Sequence, residues 1–328
     1  MVWALRPRAS EFHRIDRAAR WPPIFLSPMA RIALLTSSKY PRLTDDDRLL
    51  LAPLAERGIV TEPVVWDDPS VVWSSFDAIV IRSCWDYHLK IERFLSWTRE
   101  IEAAGVPVFN PAAMVRWNTD KGYLRDLEAK GIPIVPTVWG EGQLSLKEKL
   151  RELGWNKAVV KPRVSATAYR THVVTQDDAD SAQALFEDLR RGPGVMVQKF
   201  MDKVPSEGEW SLIFFGGKFS HAVIKQPTPG DFRVQSDFGG TSQLAEPPLH
   251  VLASAAESLR AVEPTLYARV DGVVDEGEFR LMELELIEPA LFLSSQPEAP
   301  RRFADAIVQM VSTVSKVDDG LSRASNHA

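Results

Sequence analysis

Residues 279–289, Phe-Arg-Leu-Met-Glu-Leu-Glu-Leu-Ile-Glu-Pro, constrain this chain more than any other stretch. Their period of two puts Glu283 and Glu285 on one strand face and Met282, Leu284 and Leu286 on the other. Side chains two apart on a strand lie roughly 7 Å apart, so two carboxylates there repel unless a cation sits between them. Just upstream, residues 266–274 read as a partner strand. The connection Asp275-Glu276-Gly277 suits a three-residue hairpin loop with Gly277 in the left-handed conformation. That register pairs Val274 with Glu278, Asp271 with Leu281 and Arg269 with Glu283. It gathers Asp271, Glu283 and Glu285 on one face, three hard oxygen donors of the kind Mg²⁺ takes. A two-residue loop would turn Asp271 away. From this stretch alone, a solvated acidic edge and a metal site are both open readings.

The chain has 328 residues, enough for two or three domains. Its 39 basic and 44 acidic residues imply no general attraction to nucleic acid or anionic membrane. No apolar run approaches the ~20 residues of a membrane span. One cysteine, Cys84, excludes an intramolecular disulfide framework and suits a reducing cytoplasm. Residues 1–29 carry Arg6, Arg8, Arg14, Arg17 and Arg20 and end near Trp21-Pro22-Pro23. They are neither acid-poor nor Ser-rich, as an organellar targeting segment would be, and read as a disordered extension or the result of an upstream start codon. Residues 316–328 read as a disordered polar tail.

Between these ends the pattern is α/β with α+β character. Strands at 31–36, 64–66, 78–81 and 106–109 alternate with helices opening at Thr44 and near Ile91, which predicts a parallel sheet flanked by helices. Its strand ends are where ligands usually bind. Arg82, Asp86 and Tyr87 crowd one such end, either as a substrate pocket or as a capping loop with an Arg–Asp pair. A helix is predicted to open at Asn118-Thr119-Asp120-Lys121, followed by an extended 132–137, a helix over 145–153 and a strand at 158–162. Lys161 at the end of that apolar strand reads as an edge or snorkelling lysine, or as a phosphate ligand. Further strands are predicted at 171–174 and 195–201, with a helix over 181–190 between them. A hairpin over 209–225 turns at Gly216-Gly217, residues 230–235 and 239–241 read as loop, and helices follow near 250–262 and 300–314.

No Walker or dinucleotide fingerprint, zinc spacing or serine-hydrolase elbow is present. An acidic triad with Lys121, Lys161, Lys225 and Arg233 is instead the parts set of phosphoryl transfer, where positioning and charge neutralisation dominate. In order, the chain carries Trp85-Asp86-Tyr87, Trp117-Asn118-Thr119-Asp120-Lys121, Gly131-Ile132-Pro133, Val159-Val160-Lys161-Pro162, Gly208-Glu209-Trp210-Ser211-Leu212, Gly230-Asp231-Phe232-Arg233-Val234-Gln235 and the acidic stretch ending Glu288-Pro289. This series, over about residues 30–315, resembles the ATP-grasp superfamily. The likeness is to its glutathione synthetase and RimK-type group, above all to the D-cycloserine synthetase-like branch.

The resemblance implies an N-terminal domain at 30–115 and two subdomains, 116–200 and 201–315, that clamp ATP. It implies that Lys121 and Lys161 hold ATP phosphates, that Gln198, Lys199, Phe200 and Met201 form the adenine hinge, and that Glu209 takes the ribose. Lys225 and Arg233 would face the transferred phosphate and acyl group, and Asp271, Glu283 and Glu285 would hold Mg²⁺ (or Mn²⁺). The implied activity is a carboxylate–amine ligase working through an acyl phosphate on an amino acid or short peptide. An intramolecular cyclo-ligase and a nucleotide-binding protein with lost or altered catalysis are the alternatives. A homo-oligomer is compatible with the chain, and nucleic acid or membrane partners are not implied. One departure stands out: relatives usually place glycine in the loop after Lys161, and residues 163–170 contain none.

Overall fold

The computed structural model describes residues 30–235 and 238–310. The expectations for residues 1–29 and 311–328 fall outside that range. The described residues are built on three sheets, and the cavity described below lies where they meet.

The first sheet is parallel, in the order β2 (Val60–Val65), β1 (Arg31–Thr36), β3 (Ala78–Ser83), β4 (Val108–Phe109). Both faces of β1 and β3 are buried, as crossover helices require. Thr44 caps the short helix α1 (Asp45–Arg48) by accepting from the Asp47 N–H at 3.1 Å. A second short helix, α2 (Leu51–Ala55), completes that crossover, and α3 (Ile91–Ala103) supplies the next. One face packs Trp66, Phe94 and Trp97 among its own helices. The other carries Ile32, Leu34, Val80 and Phe109 into a core shared with Ile213, Phe215, Tyr267 and Phe303 of the C-terminal part.

The helix expected to open at Asn118 ends there instead. Helix α4 (Ala112–Asn118) stops, a turn follows, and α5 (Tyr123–Ala129) begins. The break is fixed from outside the helix. The Asn118 amide donates to the Leu284 carbonyl and accepts from the Leu286 N–H, and the Lys121 N–H donates to the Arg163 carbonyl. Both helices pack on the third sheet through Met114, Tyr123, Leu124 and Leu127.

The middle sheet is antiparallel, β5 (Thr137–Trp139), β8 (Val195–Lys199), β6 (Lys157–Pro162), β7 (His172–Thr175). Helices α6 (Leu146–Glu152) and α7 (Ala179–Arg191) cover one of its faces through Leu146, Leu150, Phe186 and Leu189. The third sheet runs β11 (Thr241–Leu244), β10 (Lys218–Gln226), β9 (Glu209–Phe215), β12 (Tyr267–Asp275), β13 (Glu278–Glu285). Between β8 and β9 lies the short helix α8 (Val204–Glu207), and α9 (Leu249–Arg260) packs behind the sheet against Leu212 and Val270. The Gly216-Gly217 turn has φ of +54° and +74°, the primed geometry that matches strand twist. Strand β11 was not predicted, and its first residue, Thr241, was read as loop; two glycines precede it and its four residues are all exposed, so no apolar alternation marks it.

The β12–β13 hairpin corrects the sequence reading. Asp275 pairs with Glu278, leaving a two-residue turn in which Glu276 and Gly277 have φ of +52° and +85°. That register alone would carry Asp271 to the wrong face. The bulge that restores it lies further along: Gly272 pairs with Leu281, Met282 is passed over, and Asp271 pairs with Glu283. A Cβ on Gly272 would lie 2.4 Å from the Phe279 ring and 2.5 Å from the Arg280 carbonyl oxygen, so the strands close up here because glycine leaves the space. Nor is β13 an open edge. The Val135 N–H donates to the Leu281 carbonyl and the Leu281 N–H to the Pro133 carbonyl, both at 2.9 Å, so the extended Pro-rich segment covers it.

Candidate active site

Alternation on neighbouring strands of the third sheet brings the polar residues onto one face. Ser211, Asp271 and Glu283 stand in one cross-strand row, Arg269 and Glu285 lie opposite each other in the next, and Lys225 faces Glu209 at the β9–β10 pair. The loop after β6 and the joint before α5 close over this face. The cavity between them encloses about 290 Å³, and its walls include Lys121, Lys161, Glu209, Lys225, Arg269, Asp271, Glu283 and Glu285.

The charges are laid out as interlocking pairs. Lys121 lies 3.1 Å from Glu283 and donates to the Ser165 carbonyl at 2.6 Å. Lys225 bridges Glu209 at 2.6 Å and Asp271 at 3.1 Å. Arg269 reaches Asp271 at 2.9 Å and also bonds Glu285. Ser211 donates to Asp271 at 2.6 Å.

Electrostatics follow from these partners. Burial works to raise the Asp271 pKa, but Arg269 and Lys225 outweigh it and hold the carboxyl at about 2. Glu283 is likewise lowered, because Lys121 and Lys161 overcome burial. Burial pushes Glu285 up to about 7, with Arg269 opposing and the neighbouring acids assisting. Lys161 is lowered to about 8, mostly by burial and further by Lys121. It stands near the end of β6 inside the protein, not at an exposed edge.

Among the described residues, no three His, Cys, Asp or Glu side chains converge to hold a metal ion. Both Asp271 oxygens are taken, one by Ser211 and Arg269 and the other by Lys225 and Arg269. The three-carboxylate cage expected from the sequence is therefore not assembled. Glu283 and Glu285, partly open to the cavity, are the donors that fit Mg²⁺, which commonly takes one or two carboxylates and fills its shell with water and phosphate oxygens.

Other expected residues divide. Gln198, Lys199, Phe200 and Met201 line the cavity, yet the Lys199 N–H is bonded to the Pro136 carbonyl and the Phe200 N–H to the Lys157 carbonyl. Arg233 also lines it, with its guanidinium paired to Asp231 at 2.7 Å and 3.6 Å from the Phe238 ring centre. Tyr87 is a wall residue. Arg82 and Asp86 are not: Arg82, 1% exposed, pairs with Asp47 at 2.9 Å and donates to the Pro289 carbonyl, because every residue of β3 faces protein. Asp86 accepts from the Trp66 indole and pairs with Lys90. Arg82 thus ties β3 to the segment after β13, and Asp86 is held within the N-terminal sheet unit.

The sequence reading missed Arg269 as a site residue; its alternation with Asp271 was the available signal. Glu288, which also lines the cavity, was left without a role. The glycine-free loop reaches left-handed backbone without glycine, with φ near +50° at Thr167, Ala168 and Arg170. Such residues cost about 1–2 kcal/mol each. Ala166 packs against the N-terminal core and Tyr169 against the His88 ring, contacts that hold the loop over the cavity.

Comparison with known proteins agrees with this architecture. The family described as "D-cycloserine synthetase DcsG, N-terminal domain" matches residues 32–110. The cycloserine biosynthesis protein DcsG of Streptomyces lavendulae is 31% identical over 304 residues, covering 86% of this chain and 99% of that protein. A glutathione synthetase of Parasynechococcus marenigrum is 32% identical over 167 residues, about half of each chain. The crystal structure of D-cycloserine synthetase DcsG superposes with a TM-score of 0.78 at 28% identity, covering 86% of this chain and all of that one. A D-alanine–D-alanine ligase from Bacillus anthracis shares the fold at a TM-score of 0.64 and 16% identity, covering 88% and 99%. The chain belongs to the ATP-grasp ligases, in the branch of D-cycloserine synthetase.

Proposed function

We propose that this protein is an ATP-dependent ligase that joins the carboxylate of an amino acid or short peptide to an amine through an acyl phosphate. The observation that carries the reading is one sheet face on which buried Lys225 and Arg269 interlock with Asp271 and Glu285, faced by Lys121 and Lys161 from the other subdomain. Such a face can neutralise a polyphosphate and then a transferred phosphoryl group.

In this reading Lys121 and Lys161 hold the phosphates. The segment from Gln198 to Met201 faces the base, and Glu209 the ribose. Glu283 and Glu285 would hold Mg²⁺, which supplies charge neutralisation at the β- and γ-phosphates when bound. Arg269, fixed by Asp271, is oriented toward the acyl group, with Lys225 beside it and Arg233 at the loop that borders the cavity. The carboxylate attacks the γ-phosphate, ADP leaves, and the amine displaces phosphate from the acyl carbon. The single buried cysteine fits a cytoplasmic setting.

A second form of the same chemistry, in which carboxylate and amine belong to one molecule that is cyclised, is favoured by the similarity to DcsG over nearly its whole length. ADP release measured with a panel of amino acids, singly and with added amine, separates the two: one compound alone suffices for cyclisation. ATP binding with no substrate-stimulated ADP release across the panel would sink both. For the metal donors, Glu283→Gln with Glu285→Gln is expected to weaken Mg·ATP binding about 10²-fold by calorimetry, in line with loss of charged ligands. Wild-type affinity in that variant would refute the assignment.

A further inference from the structure

We propose that Glu288 is the receptor for a cationic amine on the substrate, the ammonium of a free amino acid. The inference rests on the ligase reading and adds the substrate group recognised. Every other acid in the cavity named above has a basic partner: Glu209 with Lys225, Asp271 with Lys225 and Arg269, Glu283 with Lys121, Glu285 with Arg269. Glu288 is 7% exposed and lines the same cavity, yet among the described residues no Lys, Arg or His pairs with its carboxylate. A buried carboxylate without a cation is costly, and a ligand that brings the cation removes that cost.

Its placement selects the ligand. Glu288 follows β13 and abuts the N-terminal domain, where the Trp85 indole N–H donates to its backbone carbonyl at 2.9 Å. Trp85 and Tyr87 line this part of the cavity, and aromatic faces beside a carboxylate suit an ammonium group. Burial and the nearby Glu285 raise the Glu288 pKa, the direction expected of a buried carboxyl with no cation beside it. The bond-forming groups lie on the sheet face. A carboxylate at the N-terminal wall would thus anchor the amine end of an amino acid while its carboxyl end reaches Arg269.

The test is thermal unfolding of the full chain with Mg·ADP, adding free D- and L-amino acids or the matching acids in which hydrogen replaces the amine. Amino acids are expected to raise the melting temperature of the wild type and their desamino counterparts to leave it unchanged. Glu288→Gln should keep the Mg·ADP shift and need at least ~10-fold more amino acid for the same further rise. An unchanged amino-acid response in that variant, an equal response to desamino acids, or no response to any amine overturns the assignment. Should the variant not fold, the wild-type contrast between amino and desamino acids still decides. Absence of any Mg·ADP shift in the wild type would instead take down the ligase reading itself.

Discussion

Replacing Lys161 by methionine is expected to lower ATP turnover about 10²–10³-fold while leaving the ligand-free fold as stable as the parent or more so. The two effects have one cause. Lys161 stands near the end of β6 and lines the cavity, where burial and the nearby Lys121 bring its pKa down to about 8. No carboxylate lies within ion-pair distance of it among the described residues, and Glu283 keeps Lys121 at 3.1 Å when Lys161 is gone. A structural lysine would be held by a partner; this one is held at a cost, as a group awaiting an anion would be.

The linkage gives a pH signature. The folded pKa lies below the unfolded value near 10.5, so between about pH 8 and 10.5 the unfolded chain binds more protons and wild-type stability rises with pH. At pH 7 the full cost of burying the ammonium is present, at most about 3 kcal/mol. Urea unfolding should show Lys161→Met most favoured at pH 7 and its advantage shrinking toward pH 10. A variant destabilised at pH 7, with nucleotide turnover intact, would show that Lys161 is a structural residue.

The second large effect is structural. Gly272→Ala should cost about 3 kcal/mol and remove nucleotide-dependent stabilisation, because the added Cβ meets a backbone oxygen at 2.5 Å and the Phe279 ring at 2.4 Å. To make room the strands must part where Met282 is passed over, and with that goes the pairing of Asp271 with Glu283. Gly277→Ala is the control. Nothing lies within 4 Å of its Cβ, so it pays only the left-handed backbone penalty of about 1–2 kcal/mol and keeps the site. Denaturant midpoints and the Mg·ADP melting shift of the two variants check this. The reverse ranking would mean that the hairpin turn, not Gly272, sets the face.

That contrast also marks how far the sequence could be read. Alternation on 279–289 placed Glu283 and Glu285 on one face, and parity carried Asp271 to the same face even though the turn was misjudged. A shift of two residues preserves the face, whereas the position of a bulge depends on contacts such as Phe279 over Gly272 that no local pattern encodes. Arg82 illustrates the other limit. Its position at a strand end was legible, but its inward direction depends on Asp47 and Pro289, which lie 35 residues before it and 207 after it. Arg269 was visible as a strand residue but not as the pivot of the charge network. That role emerges only when β12 and β13 are in register and both acids are seen to share one guanidinium.

Isotope transfer from the substrate carboxylate tests the central claim most directly. The amino acid that stimulates ADP release is supplied with ¹⁸O in its carboxylate, and the phosphate released is examined by mass spectrometry. An acyl-phosphate ligase transfers one ¹⁸O to each phosphate formed, because the carboxylate oxygen that attacks ATP leaves with the phosphoryl group. Phosphate without label, formed alongside ADP, would contradict the account.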